Sequence, residues 1–234
     1  MQVIAHIRSD FKTKFGIPRQ SGLIEALKAQ IFFEPEFRRP EALRGLEGFS
    51  HLWLLWHFSE TARERWSPTV RPPKLGGNAR MGVFATRSPF RPNPLGLSAV
   101  RLERIELQSP QGPILHVAGA DLMDGTSIFD IKPYLPYADS YPDALGGFAL
   151  SSKQGSLAVN CPAALLEKLP AGRRDGLLAV LAQDPRPSYQ HAPNRVYGLE
   201  FAGFEVRFTV EGDRLSVLEI EEIPASAGAR QGAE

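Results

Sequence analysis

Four stretches of the chain carry side chains whose types and spacing suit ligand chemistry better than scaffold. Pro18, Arg19 and Gln20 follow an opening apolar segment, with Ser21 and Gly22 behind them. The second stretch is Phe49-Ser50-His51-Leu52-Trp53. The third includes Arg71 and Lys74 and then Gly82-Val83-Phe84-Ala85-Thr86-Arg87-Ser88-Pro89-Phe90-Arg91-Pro92-Asn93-Pro94-Leu95-Gly96-Leu97-Ser98. The fourth runs from Asp121-Leu122-Met123-Asp124-Gly125-Thr126 to Asp130, Lys132, Tyr137 and Asp139.

Each stretch admits a specific chemistry. Pro89, Pro92 and Pro94 lock φ and restrict the residue before them, so residues 87–94 form a stiff loop with little entropy left to lose. Such a loop, presenting Arg87, Arg91 and Asn93, holds a ligand at low ordering cost. The same loop is equally a Pro-rich corner whose arginines are solvated. Asp121, Asp124 and Asp130 either bond ribose hydroxyls and nearby arginines, or close a tight Asp124-Gly125 turn with Asp130 in a salt bridge. If Asp121 is buried it requires a partner, because an unpaired carboxylate inside a protein costs several kcal/mol.

Other chemistries are excluded. His6, His51, His57, His116 and His191 lack metal-ligand spacing, so no metal site is expected. Cys161 is alone, which rules out an intrachain disulfide framework and suits a reducing cytoplasm. There is no Gly-x-Gly-x-x-Gly fingerprint, phosphate-binding P-loop or Gly-x-Ser-x-Gly elbow, so a nucleotide-like cofactor would not sit on a Rossmann sheet. The chain opens without a basic, apolar leader, and its longest apolar run is residues 52–56, so neither secretion nor a membrane span is expected.

Charge is uneven along the chain. The total is +1 over 234 residues, but residues 63–104 hold nine basic against two acidic side chains, a net of +7. Arg outnumbers Lys 20 to 7, and the planar guanidinium fork suits phosphates and carboxylates. This segment is the expected footprint of an anionic partner.

The elements that must position these residues read as strands first and helices late. Residues 3–7, 49–58, 81–86, 97–107, 114–118 and 128–131 are short, β-branched or aromatic, and separated by turn residues. Residues 52–56 and 81–86 are apolar on both faces, which predicts strands buried on two sides. Helical spacing follows at 163–169 and 174–183, then alternation at 204–210 that turns at 211–213 and returns at 215–220 as a hairpin. The expected class is mainly β: a small N-terminal β-barrel over residues 1–140, then a smaller α+β unit, helices plus an antiparallel hairpin, over 155–223. Residues 224–234 read as a disordered tail.

Taken together, the four stretches resemble the TrmO family, also called YaeB or TsaA-like, which are tRNA methyltransferases acting on N6 of threonylcarbamoyl-adenosine next to the anticodon. The likeness spans residues 3–223, is densest in the run GVFATRSPFRPNPLGLS, and includes Asp184-Pro185-Arg186-Pro187-Ser188-Tyr189. It implies S-adenosylmethionine bound against the barrel near the interface of a homodimer. The implied donor-binding residues are Pro18, Arg19, Gln20, Ser59, Glu60, Arg87, Leu97, Asp121, Leu122, Met123 and Asp124. Some relatives carry His-Gln in place of Ser59-Glu60, so backbone contacts are expected there. For the tRNA, Arg71, Lys74, Arg80, Arg91, Asn93, Lys132 and Tyr137 are the expected contacts. No general base is singled out, with Asp121 and Tyr137 both open. The rival readings are an RNA-binding barrel without chemistry, and a methyltransferase for a small molecule or protein.

Overall fold

The computed structural model describes residues 1–59, 66–72, 75, 79–149, 156–186 and 195–224. Its first half is a closed barrel. Strands β1 (Ala5–Arg8), β2 (Lys28–Phe33) and β3 (His51–His57) come first in the chain. A two-stranded ribbon follows, β4 (Thr69–Val70) with β5 (Met81–Gly82), and then β6 (Leu95–Glu106), β7 (Ile114–Ala118) and β8 (Ser127–Pro133). The barrel order is β1-β2-β7-β6-β3-β8, with every neighbouring pair antiparallel.

Period-two alternation decides what fills it. On β3, Leu52, Leu54 and Trp56 point inward and are at most 7% exposed, while Trp53 and Leu55 are half-buried on the outer face. The expected two-sided burial of residues 52–56 is therefore complete on one face and partial on the other. Ile7, Ile31, Leu115 and Ile128 complete the interior, none with measurable exposure. Residues 81–86 depart from the sequence reading. Only Met81–Gly82 is strand, and Val83–Ala85 turns into a 3₁₀ helix. The Thr86 hydroxyl donates to the Val83 carbonyl at 2.9 Å, so a local side-chain bond competes with the ladder, and Phe84 ends 74% exposed. Strand β2 was absent from the sequence reading, although Ala29, Ile31 and Phe33 alternate inward.

After the short helix α1 (Pro136–Asp139), the second half forms a four-stranded sheet. Its strands are β9 (Ala158–Asn160), β10 (Tyr197–Phe201), β11 (Phe204–Glu211) and β12 (Arg214–Glu222), in the order β10-β11-β12-β9. The β11–β12 hairpin matches the sequence reading; β9 joins its edge in parallel. Helices α2 (Ala163–Leu166) and α3 (Ala171–Ala182) accompany the sheet, with Leu177, Val180 and Leu181 buried in its core. The tail expected over residues 224–234 lies almost wholly outside the described residues. No described helix is long and apolar enough to cross a membrane.

The two halves share a core. Phe11, Ile24 and Leu27, all from the β1–β2 connection, are buried with α3 and the C-terminal sheet, and Phe11 meets Phe201 edge-on at 5.5 Å. Beside them, Asp10 is 9% exposed and pairs with Arg173 of α3 at 3.1 Å. Burial nonetheless pushes its carboxyl up to about 6, outweighing the pull of Arg173, and nearby Asp124 pushes the same way. A carboxyl raised on folding favours the protonated native state, so its ionisation subtracts stability as pH climbs from about 4 to about 6. The gap between Asp10→Asn and wild type, measured by urea unfolding, is expected to move in favour of the variant by on the order of 3 kcal/mol between pH 4 and pH 7. A pH-independent gap would show that Asp10 folds without this penalty.

Candidate functional site

The strand directions bring the singled-out stretches to one end of the barrel. Strands β1, β3 and β7 end there, and β2, β6 and β8 begin there. Three connections therefore emerge together: residues 9–27, 58–94 and 119–126. Between them lies a cleft of about 670 Å³.

The first connection is anchored before it reaches the cleft. Phe15 and Ile17 pack on the C-terminal core, and Gly16 adopts φ +88° where a Cβ would lie 2.3 Å from Leu199 Cδ1. Only glycine suits both the backbone and the close approach. Pro18, Arg19 and Gln20 then line the cleft, and the Ser21 hydroxyl accepts from the Ala99 amide of β6 at 3.1 Å.

The second connection is stapled to itself. Arg91 Nη1 donates to the carbonyl of Thr86 at 3.1 Å, and the Phe58 amide reaches the Pro94 carbonyl at 2.9 Å. Arg91 thus lines the cleft while holding its own loop in shape. Arg87 instead crosses to the first connection and donates to Gln20 Oε1. Ser59, Asn93 and Leu97 also line the cleft.

The third connection supplies Asp121. The Ser98 hydroxyl donates to Asp121 Oδ1 at 2.6 Å and accepts from the Trp56 indole N–H at 2.9 Å. Burial raises the Asp121 carboxyl above the usual range. Ser98, the backbone amides of Asp121 and Ser21, and the charge of Arg87 pull it back. Met123 and Thr126 complete that wall.

Of the residues expected to bind the donor, Pro18, Arg19, Gln20, Ser59, Arg87, Leu97, Asp121 and Met123 converge on the cleft. Leu122 has no exposure and belongs to the barrel core. Asp124 accepts the Ser9 amide at 3.0 Å and pairs with Lys12, closing the turn in which Gly125 has φ +78°. Glu60 lies outside the described residues.

Of the residues expected to bind tRNA, Arg91 and Asn93 reach the cleft, whereas Arg71 and Arg80 are exposed at the end of the β4–β5 ribbon. Lys74 lies outside the described residues. Lys132 pairs with Asp130 at 3.0 Å near the far end of β8 and does not line the cleft. Neither does Tyr137, which sits just beyond that strand and is 87% exposed. Sequence reasoning missed Trp56, Phe58 and Ser98. Ser98 closes the third singled-out stretch, but its role follows only from the β3–β6 register, which no local pattern marks.

Comparison with known proteins agrees with this architecture. The family model described as the tRNA-methyltransferase O N-terminal domain matches residues 6–140, and that of the TrmO C-terminal domain matches 158–223. A barrel of this kind joined to this sheet defines the TrmO class, and the chain belongs to the TrmO family. It is 43% identical to the tRNA (adenine(37)-N6)-methyltransferase of Escherichia coli K12 over 226 residues, covering 93% of this chain and 96% of that one. It is 42% identical over 212 residues to a Pseudomonas aeruginosa protein described as a putative S-adenosylmethionine-dependent methyltransferase, RcsF, covering 88% of this chain and 90% of the relative. The crystal structure of TrmO from P. aeruginosa superposes with a TM-score of 0.75 at 36% identity, covering 95% of this chain and 97% of that one.

One close approach holds the cleft floor together. A Cβ on Gly96 would lie 2.2 Å from Trp56 Cε2, so the indole can lie flat on β6 only because residue 96 is glycine. Gly96→Ala is expected to destabilise the protein by about 1 to 3 kcal/mol and to shift Trp56 fluorescence. An unchanged melting temperature and emission spectrum would contradict that geometry.

Proposed function

We propose that this protein transfers a methyl group from S-adenosylmethionine to N6 of threonylcarbamoyl-adenosine beside the anticodon of tRNA. The observation that carries this reading is the convergence of Arg19, Arg87 and Asp121 on one cleft in a chain of the tRNA-methyltransferase O family.

The residues present fit such a donor. The cleft volume lies in the usual range for small-molecule sites. Arg19 and Arg87 suit a carboxylate, Gln20 and Ser59 suit ribose hydroxyls, and the apolar walls from Phe58, Leu97 and Met123 suit a base face. A buried carboxylate at Asp121 suits a sulfonium charge. The donor supplies a methyl group on an excellent leaving group. What remains for the protein is alignment, an effect that can reach about 7 to 11 kcal/mol. Of the two candidate bases, Asp121 lines the cleft and Tyr137 does not. As the new N–CH₃ bond forms and the S–CH₃ bond breaks to leave a neutral thioether, Asp121 accepts the proton that leaves the acceptor nitrogen and becomes a neutral carboxylic acid.

For the RNA, Arg71 and Arg80 stand as like charges at the end of the β4–β5 ribbon, neither paired with a carboxylate among the described residues. Like charges in this position disfavour the free ribbon and favour a polyanion. Trp66 and Phe84 lie nearby with ring centroids 6.2 Å apart, 51% and 74% exposed, and offer a stacking surface. On this reading the chain works as a homodimer in the cytoplasm; exposed Leu97, Tyr137 and Leu145 supply apolar surface for a second copy.

Labelled donor incubated with tRNA should pass its methyl group only to tRNA that carries threonylcarbamoyl. Equal transfer to both forms, or to neither, would defeat the substrate assignment. Arg71→Ala and Arg80→Ala are each expected to lower the salt slope of tRNA binding by about 1. Phe84→Ala should weaken tRNA binding by about 1 to 3 kcal/mol while calorimetric donor affinity stays unchanged. Loss of donor affinity instead would move Phe84 into the donor site.

A further inference from the structure

A serine outside the expected binding residues sits at the centre of the cleft's hydrogen bonding. Ser98 is 1% exposed, at an inward-facing position of β6 opposite Leu54. An indole nitrogen only donates, so toward Trp56 the Ser98 oxygen must accept. Its single proton is then committed to Asp121, and the 2.6 Å separation falls within the range for a hydroxyl donating to an ionised carboxylate. The chain Trp56 to Ser98 to Asp121 therefore runs in one direction, and Gly96 fixes its start by admitting the indole.

We propose that Ser98 is a positioning residue: with its hydroxyl oriented by Trp56, it holds Asp121 in one rotamer with Oδ1 occupied, so that a proton can enter only at Oδ2. Use of that proton acceptor in methyl transfer rests on the function proposed above; the hydrogen-bond role does not. Protonation at Oδ1 would leave the Ser98 proton without its acceptor on a side chain that is 1% exposed, which is the unfavourable alternative. The charged and titratable groups that share the cleft with Asp121 are Arg87 and Arg91 from the 58–94 connection, Arg19 and Lys14 from 9–27, and His57 at the end of β3. Against the burial that raises this carboxyl, Ser98 favours the anion most, the backbone amides of Asp121 and Ser21 add to it, and Arg87 contributes least. Asp124, on the same connection, is occupied by Ser9 and Lys12.

The decisive measurement is the titration of the Asp121 carboxyl carbon by NMR in the protein without donor or tRNA. Ser98→Ala removes a bond that favours the anion, so the midpoint should rise by about one to two pH units, and Ser98→Thr, which keeps a hydroxyl, should restore it. Trp56→Phe frees the hydroxyl to rotate and should move the midpoint the same way by less. The acid limb of single-turnover methyl transfer should move with the midpoint, with KM for the donor less affected than kcat. A folded Ser98→Ala protein in which Asp121 titrates as in wild type overturns the proposal. So does a midpoint that moves while the pH profile stays fixed, since Ser98 would then be structural only. If wild-type protein modifies no tRNA, the function fails instead, and the NMR shift still decides the hydrogen-bond role.

Discussion

A six-stranded barrel of this size has no room inside, and the placement of the site follows from that constraint. Leu52, Leu54, Ile7, Ile31, Leu115 and Ile128 fill the interior without exposure. A ligand is therefore confined to the outside or to an end. Alternate connections of the antiparallel barrel bring residues 9–27, 58–94 and 119–126 to the same end. Trp56 plugs that end, and its indole serves at once as the last layer of the barrel core and as the floor of the cleft. Packing and chemistry meet in one side chain, which is why a small residue at position 96 matters to both.

Loops at a barrel mouth must be held in place by something other than the barrel. The C-terminal sheet does this for the first connection. Phe11, Ile24 and Leu27 bury themselves in its core, and at about 1.5 to 3 kcal/mol for each large apolar side chain the anchorage is substantial against the entropy of an unrestrained loop. The second connection is held by its prolines and by Arg91 folding back on Thr86. The third is held by Ser9 and Asp124. Each loop has a separate restraint, so Arg19, Arg87 and Asp121 arrive with little left to order.

The sequence made strands legible where apolar or β-branched residues run together, as on β3 and β7, and where alternation was clean, as on the β11–β12 hairpin. It misled at residues 81–86, because apolar side chains on both faces look like a doubly buried strand when a threonine hydroxyl ends the ladder early. Strand β2 was hidden because Lys28 and Gln30 dilute its apolar content while its inward face remains regular. Most of the site was legible through its motifs. Asp124 was readable in two ways, as a ligand group or as a turn, and the Ser9 and Lys12 contacts give it the turn. Ser98 was not legible, since its importance depends on a cross-strand register that no local pattern encodes.

The electrostatics of the cleft suit it to charged groups. Arg87 bonds the neutral oxygen of Gln20, which satisfies its geometry without cancelling its charge. A carboxylate replacing that amide would exchange a neutral acceptor for a charged one, and bonds of the second kind are roughly twice as strong. Asp121 reaches the same cleft from the third connection; burial raises its carboxyl above the usual range, and Ser98, the backbone amides of Asp121 and Ser21, and last the charge of Arg87 pull it back. A ligand bearing both a carboxylate and a fixed positive charge meets each with its complement. A plain anion gains from Arg87 but is opposed by Asp121, and a plain cation faces the reverse. Under the proposed function, recognition of a zwitterionic group would rest on Arg87 and Asp121 reaching one cleft from separately anchored loops without a direct ion pair between them.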